Sequence, residues 1–164
     1  MAQAPSSREY DLKAVLLFNL TRFVEWPASD FANPNVPFTI GILGRDPFGK
    51  ILDDVVGPES YGKHKIQVVR YRDPETAAKS CQLLYIGADE SKDLPRILPR
   101  LHGFTVLTVG DFDEFAARGG MVALNQGADG KVRVRINLEA VRSTGLTVSG
   151  KLLRVAEIVN QGKN

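Results

Sequence analysis

The sequence predicts an α/β fold, a three-layer αβα sandwich with a mostly parallel sheet and an antiparallel C-terminal hairpin at one edge. Short apolar runs typical of buried strands alternate with segments whose apolar residues recur at helical spacing. Near the C-terminus two strand-like segments flank the turn-rich stretch 125–130, which is the pattern of a β-hairpin. Because parallel strands are joined through helices, such a sheet is covered on both faces.

The first predicted helix opens the domain. Its apolar stripe includes Leu12, Val15 and Leu16, and it ends at Trp26-Pro27 because the residue before a proline avoids the α conformation. We expect Trp26 to pack in the core. Asp46-Pro47 looks like a helix cap followed by proline at the first helical position, and Asp73-Pro74 begins a short helix. The elements expected between residues 38 and 119 are strand 38–43, helix 47–56, strand 66–71, helix 74–79, strand 83–87, helix 94–102, strand 104–109, and a helix that holds Phe112 and Phe115 and is closed by Gly119-Gly120.

The C-terminal part begins with the hairpin strands, 121–124 and 132–136. Asn137 is expected to cap a helix that runs to about residue 143. Ser149 is expected to cap a last amphipathic helix that extends to Val159.

Length and composition favour one globular domain. The chain has 164 residues, of which 43% are hydrophobic and 24% charged. We expect a domain at 10–160 preceded by a disordered segment at 1–9. The net charge of +2 is too small for a dedicated nucleic-acid-binding protein. The single Cys81 excludes an internal disulfide and favours a small buried side chain, and no Cys/His set has zinc spacing.

The carboxyl ends of the parallel strands form the edge at which α/β sheets bind ligands. Arg45, Asp46 and Asp111 follow predicted strands and should lie on this rim. Paired carboxylates there could bind Mg²⁺ or act as acid and base. Both aspartates also stand where a helix N-cap is expected, and capping is the favoured interpretation.

Residues 44–51 resemble the phosphate-binding loop G-x4-G-K-[ST]. Ile51 replaces the hydroxyl that would hold Mg²⁺, Pro47 removes an N–H donor, and Asp46 adds a negative charge. The stretch is therefore interpreted as a strand–turn–helix junction.

Basic and apolar residues alternate along the second hairpin strand. Lys131, Arg133 and Arg135 should share one face, and the intervening valines and Ile136 the other. The basic face is either a solvated edge that prevents aggregation or a surface for an anionic partner.

Several segments in order resemble the YfiR/HmsC-like family over about residues 10–160. They are KAVLLFNL at 13–20, FVEWP at 23–27, IGILGRDPFG at 40–49, LTVGD at 107–111, GGMV at 119–122, INLEA at 136–140 and KLLRVA at 151–156.

This resemblance implies a non-enzymatic, exported periplasmic regulator without cofactors. It would bind the periplasmic sensor region of a membrane-bound diguanylate cyclase and hold the cyclase inactive, which lowers cyclic-di-GMP and biofilm output. A peptidoglycan-associated outer-membrane lipoprotein would draw the regulator away, and the regulator would be a homodimer. Ala2-Gln3-Ala4 would then be the remnant of a signal cleavage site.

Two alternatives stay open. A small-ligand sensor would hold a solute in the rim crevice near Gly44 and Asp111, and a metal-dependent enzyme would use Asp46 and Asp111. The chain also departs from the family pattern, since characterised members carry several cysteines and use disulfides, whereas this sequence has Cys81 alone.

Overall fold

An eight-stranded, mostly parallel sheet lies between two layers of helices, which confirms the predicted fold class. The structure is a computed structural model, and it describes residues 7–160. The helices are α1 Ser7–Phe23, α2 Lys50–Val56, α3 Pro74–Ser80, α4 Leu94–Leu101, α5 Leu138–Arg142 and α6 Gly150–Val155, with 3-10 turns at Ala28–Phe31 and Ala88–Asp93. The strands are β1 Val24–Glu25, β2 Phe38–Leu43, β3 Ser60–Tyr61, β4 His64–Tyr71, β5 Leu83–Ile86, β6 Leu107–Gly110, β7 Val122–Gln126, β8 Val132–Ile136, β9 Thr147–Val148 and β10 Glu157–Ile158.

The strand order in the sheet is β10-β8-β7-β6-β5-β2-β4-β3. The five central strands pair in parallel in the order β4-β2-β5-β6-β7, and β7 and β8 form the predicted antiparallel hairpin. The two outermost strands, β3 and β10, are only two residues long. Strand β3 pairs only with residues 64–65 of β4, and β10 pairs only with residues 135–136 of β8. Within the described residues, the remaining length of β4 and of β8 therefore has no strand on its outer side.

The core is divided by the sheet. On one face α1, α2, α5 and α6 pack against the central strands, and on the other α3, α4 and the segment around Phe115 do so. Trp26 belongs to the α1 side, as predicted, and is 3% exposed. Its ring meets Phe38 edge-to-face at 4.8 Å, and its Nε1–H donates to the Gln82 carbonyl at 2.9 Å, so the buried indole has its polar partner.

The helix caps at Asn137 and Ser149 were predicted correctly, and α3 begins after Asp73 as expected. The side chains of Asp73, Asn137 and Ser149 accept backbone N–H groups at the starts of α3, α5 and α6. These caps are local, because acceptor and donor lie within three residues of each other.

Other predictions at the helix ends were wrong. The segment 113–119 forms turns instead of a helix, with Glu114 in the left-handed region at φ 62°. Helix α2 begins at Lys50 instead of Pro47, because Gly49 at φ 56° interrupts the helical path. The last helix stops at Val155, since the chain turns at Ala156 to pair with β8.

The N-terminal boundary also differs from the expectation. Helix α1 begins at Ser7, so residues 7–9 are helical and not part of a disordered segment. The Glu9 carboxylate lies 2.5 Å from the Lys13 ammonium one turn later, which ties this end of the helix together. Residues 1–6, with Ala2-Gln3-Ala4, lie outside the described residues.

We predict that Gly120→Ala destabilises the fold by about 1–3 kcal/mol because a methyl group would overpack the core. A Cβ at residue 120 would stand 2.2 Å from the Phe115 ring, which is fully buried. The measurement is urea unfolding followed by circular dichroism. Gly150→Ala is the matched control, because its Cβ would meet nothing within 4 Å. Equal stability of the two variants would contradict the prediction.

Candidate functional site

Arg45, Asp46 and Asp111 lie at the carboxyl ends of β2 and β6, as the sequence predicts. Tyr85 of β5 stands between the two aspartates and is 1% exposed. The pKa of its phenol is raised, first by burial and then by the negative charge of Asp111 and, more weakly, of Asp46. The rim therefore brings both carboxylates to the same tyrosine.

A buried ammonium group, that of Lys13, lies against the Asp111 carboxylate at the rim. Lys13 is 2% exposed, and its Nζ lies 2.5 Å from Glu9 and 3.2 Å from the Asp111 carboxylate. A buried charge without a partner costs several kcal/mol, so the two carboxylates make the position tolerable. Together they tie the start of α1 to the end of β6.

Two phenols complete the surroundings of Asp111. The Tyr10 hydroxyl donates to Asp111 Oδ2 at 2.9 Å, and the Tyr85 hydroxyl also hydrogen-bonds this carboxylate. Burial, followed by the Asp111 charge, raises the pKa of Tyr10, so both phenols remain protonated donors at neutral pH. The residues directly after Asp111 form turns, so the prediction that Asp111 caps a helix was wrong. Its carboxylate is bound instead by side chains of α1 and β5.

The Asp46 carboxylate does not cap α2; it binds backbone N–H groups of the preceding loop and forms an ion pair. Its Oδ1 accepts the N–H groups of Phe48 at 2.8 Å and Gly49 at 3.2 Å, and its Oδ2 accepts Arg70 Nε at 2.9 Å. The N-cap of α2 is Gly49, which lacks a side chain. The expected cap is thus replaced by a turn that Arg70 fastens to β4.

The loop resembling a phosphate site is closed to an anion. The Arg45 N–H donates to the Asp89 carboxylate at 2.9 Å. A Cβ built on Gly44 would lie 2.8 Å from the same carboxylate and 2.7 Å from Glu90, so acidic side chains occupy this approach. The geometry agrees with the strand–turn–helix interpretation.

Between residues 7 and 160, no three His, Cys, Asp or Glu side chains come together as a metal site would require. No helix in that range is long and apolar enough to cross a membrane. The hypothesis of a metal enzyme at Asp46 and Asp111 therefore gains no support, since Lys13, Arg70 and the two phenols already bind these carboxylates.

The basic face predicted on β8 is present. Lys131, Arg133 and Arg135 are exposed, whereas Val132 and Val134 are half-buried and Ile136 is buried. Arg133 pairs with Asp129 at 2.7 Å and Arg135 with Glu157 at 3.3 Å. Ion pairs as exposed as these contribute roughly 0–1 kcal/mol each to stability, so an acidic partner can replace Asp129 or Glu157 at little cost. We call Lys131, Arg133 and Arg135 the basic row.

A groove of about 700 Å³ lies at the opposite rim, beside the amino ends of β6 and β7. Leu98, Phe104 and Met121 line it. Three of its hydroxyl groups are used within the protein: Thr108 accepts the Met121 N–H at 3.0 Å, Ser143 donates to the Ala140 carbonyl at 2.7 Å, and Thr144 donates to the Val141 carbonyl at 2.6 Å.

Sequence reasoning missed Lys13, Tyr10 and Tyr85. A signal for Lys13 was available, because a lysine in an apolar helical stripe, four residues after a glutamate, indicates a buried ion pair. No local signal connects Tyr10 or Tyr85 with Asp111, since these contacts join residues 101 and 26 positions apart.

Comparison with known proteins links the chain to one family and the fold to two solved structures. The YfiR/HmsC-like family model matches residues 10–157. The ABC domain from Streptococcus pneumonia in complex with L-Trp is similar at TM-score 0.60 and 11% identity, over 89% of this chain and 60% of that one. A conserved domain protein from Vibrio cholerae O1 biovar El Tor is similar at TM-score 0.62 and 11% identity, over 91% of this chain and 59% of that one. This chain thus spans about three fifths of both, and the likeness concerns the fold alone. No curated protein matches.

Lys13→Met is predicted to lower the free energy of unfolding by about 3–5 kcal/mol, because it leaves the buried Asp111 carboxylate without its cation. Chemical denaturation at pH 7 measures the effect. The double variant Lys13→Met/Asp111→Asn should recover part of the loss, since the uncompensated charge is gone. Lys151→Met, at an exposed position, should stay within about 0.5 kcal/mol of wild type. A loss below 1 kcal/mol for Lys13→Met would refute the role of the pair.

Cys81 should be inert in the folded protein. It is 3% exposed, and burial raises the pKa of its thiol to about 12. At pH 8 only about one molecule in 10,000 then carries the reactive thiolate. We expect a disulfide reagent such as Ellman's reagent to label the native chain only at the rate of unfolding and to label it at once in guanidinium. Rapid labelling of the native chain would contradict this.

Proposed function

Because the chain belongs to the YfiR/HmsC-like family, we propose that it is a periplasmic regulatory protein that represses a membrane-bound diguanylate cyclase by binding the cyclase's periplasmic sensor region. Binding would lower cyclic-di-GMP and, with it, exopolysaccharide and biofilm production. The observation that carries the proposal is the family match over residues 10–157 of 164.

The filled rim supports binding instead of catalysis. An α/β enzyme keeps its polar groups at the carboxyl ends of the strands available to a substrate. Here Lys13, Tyr10 and Tyr85 occupy Asp111, and Asp89 occupies the Arg45 N–H. The external surface is therefore the place for function.

Repression would operate by a shift of population. To move the cyclase from almost fully active to almost fully inactive, the regulator must bind the inactive state roughly 10⁴-fold more tightly. A rigid scaffold suits this task, because little ordering cost is then subtracted from the binding energy. A peptidoglycan-associated outer-membrane lipoprotein would relieve repression by competing for the regulator, which would act as a homodimer.

We assign the partner surface to the basic row, with Arg45 as a further exposed contact on the rim. The side chains of Asp46 and Asp111 are 18% and 5% exposed and pair with Arg70 and Lys13, so they hold the rim in place instead of contacting the partner directly.

A second candidate is a periplasmic small-ligand sensor. The groove of about 700 Å³ has the size of a small-molecule site, and one solved protein of similar fold is a complex with L-Trp. A thermal-shift screen of amino acids, nucleotides and metal ions tests it. A stabilised transition that Phe104→Ala abolishes would favour this candidate, and a flat response would leave repression by protein contact.

The main proposal is tested with the periplasmic region of the diguanylate cyclase encoded in the same genome. We expect a complex by calorimetry, and the variant K131E/R133E/R135E should bind at least roughly tenfold more weakly, because charge reversal repels an acidic partner. In cells the variant should restore cyclic-di-GMP. The control K79E/K92E/R96E makes the same charge change at exposed positions on the α3 and α4 side. If the wild-type chain forms no complex with the cyclase region, the proposed function fails.

A further inference from the structure

Exposed apolar side chains lie on α1 and on the segment that leads into β10. Of the five large hydrophobic side chains that are exposed between residues 7 and 160, two lie on α1, Leu12 at 46% and Val15 at 42%, and two lie near the C-terminal end, Val155 at 77% and Ile158 at 47%. Helix α1 lies against β8, and β10 pairs with it. The apolar spacing of α1 predicts that Leu12 and Val15 are buried, whereas both are exposed.

The face of β8 toward α1 is also apolar. Val132 and Val134 pack against the same core as α1, and Ile136 belongs to that core. Ile158 is in register with Ile136 and points to the same side. Val132, Val134 and Ile158 thus form an apolar margin at the edge of β8, and the basic row lies on the other face of the strand.

The backbone of β8 is open at this margin. The Lys131 carbonyl accepts the Gly127 N–H, and the Asn137 N–H donates to Met121, so odd-numbered residues face β7. Val132 and Val134 consequently direct their backbone groups away from β7. Strand β10 pairs with Arg135 and Ile136, and this parallel pairing uses the outward Val134 carbonyl as the acceptor of the Glu157 N–H. Within residues 7–160 no strand lies beside the N–H and carbonyl of Val132 or the N–H of Val134.

Strand β10 shows which side chains this edge accepts. Its Glu157 lies beside Arg135 and pairs with it at 3.3 Å, while Ile158 lies beside Ile136 on the apolar face. An acidic residue followed by an apolar one therefore matches the basic and apolar faces of β8. Lys131, farther along the same edge, forms no ion pair among the described residues.

We propose that residues 131–134 of β8 are a strand-addition site for an extended segment of a partner protein in which acidic and apolar residues alternate. The added segment bonds to the open N–H and carbonyl of Val132 and to the N–H of Val134. Its acidic side chains lie against the basic row, and its apolar side chains cover the apolar margin of β8. The inference rests on the proposed function, for which it names the docking mode.

The test uses two synthetic peptides with the full chain, Val-Glu-Val-Glu-Val-Glu and Val-Lys-Val-Lys-Val-Lys. Amide NMR shifts report the binding, and hydrogen exchange reports protection of the Val132 N–H. We expect the Val-Glu peptide to shift β8 and slow exchange at Val132, and the Val-Lys peptide to bind at least roughly tenfold more weakly.

Val132→Pro removes the outward N–H without breaking the β7 ladder and should weaken binding of the Val-Glu peptide at least roughly tenfold. The matched control is Val68→Pro on β4. The Gln82 N–H donates to Thr39, so Ile40 of β2 faces β4 and its partner Val68 directs its amide outward at the opposite edge of the sheet. This control should bind as the wild type does.

Failure of the Val-Glu peptide to bind, equal binding of both peptides, or unchanged binding by a folded Val132→Pro variant would overturn the inference. If Val132→Pro unfolds, the wild-type chain decides the question: hydrogen exchange of the Val132 N–H that the Val-Glu peptide does not slow would overturn the inference. The proposed function is judged separately, by whether the wild-type chain binds the cyclase region. A complex that forms equally well with Val132→Pro would leave that function in place and reject the docking mode.

Discussion

The requirement that the buried Lys13 ammonium meet Asp111 fixes the position of α1 on the sheet. An apolar stripe permits a helix to slide or roll on a flat apolar face, whereas a slide of one turn, about 5.4 Å, would separate this ion pair. The 3.2 Å contact, with Glu9 on the other side, selects one placement. That placement buries Ala14 and Leu17 completely and leaves Leu12 and Val15 exposed. The interior charge thereby determines which apolar side chains remain on the surface.

The same contact explains why a fold often used for ligand binding has a closed rim here. The groups that would meet a ligand at the carboxyl ends of β5 and β6 are used to hold α1, and those after β2 are bound by Asp89 and Arg70. What remains for recognition is the outside of the sandwich. Membership of the YfiR/HmsC-like family, a regulatory family, agrees with this division between a sealed interior and an interacting surface.

The sequence predicted what depends on neighbours along the chain. The alternating strands and helices, the start of α3 after Asp73, the caps at Asn137 and Ser149, and the basic row all follow from patterns a few residues long. The failures are contacts between distant segments. The local sequence around Asp46 and Asp111 is typical of helix caps, but their carboxylates form ion pairs with Arg70 and Lys13. The turns at 113–119 exist because Phe115 fits between Gly110 and Gly120, which no local pattern reveals. The helical spacing up to Val159 predicts a continuous helix, but residues 157–158 form a strand because they pair with β8, 22 residues earlier in the chain.

The burial of Cys81 has a consequence for assembly. A chain whose one thiol is sealed in the core cannot lock two copies, or a copy and its partner, with a covalent bond while it remains folded. A complex that the folded chain forms would therefore be noncovalent and obey mass action, so dilution or a competitor would dissociate it. Its occupancy would follow the concentrations of the partners, and oxidation of Cys81 would not set it.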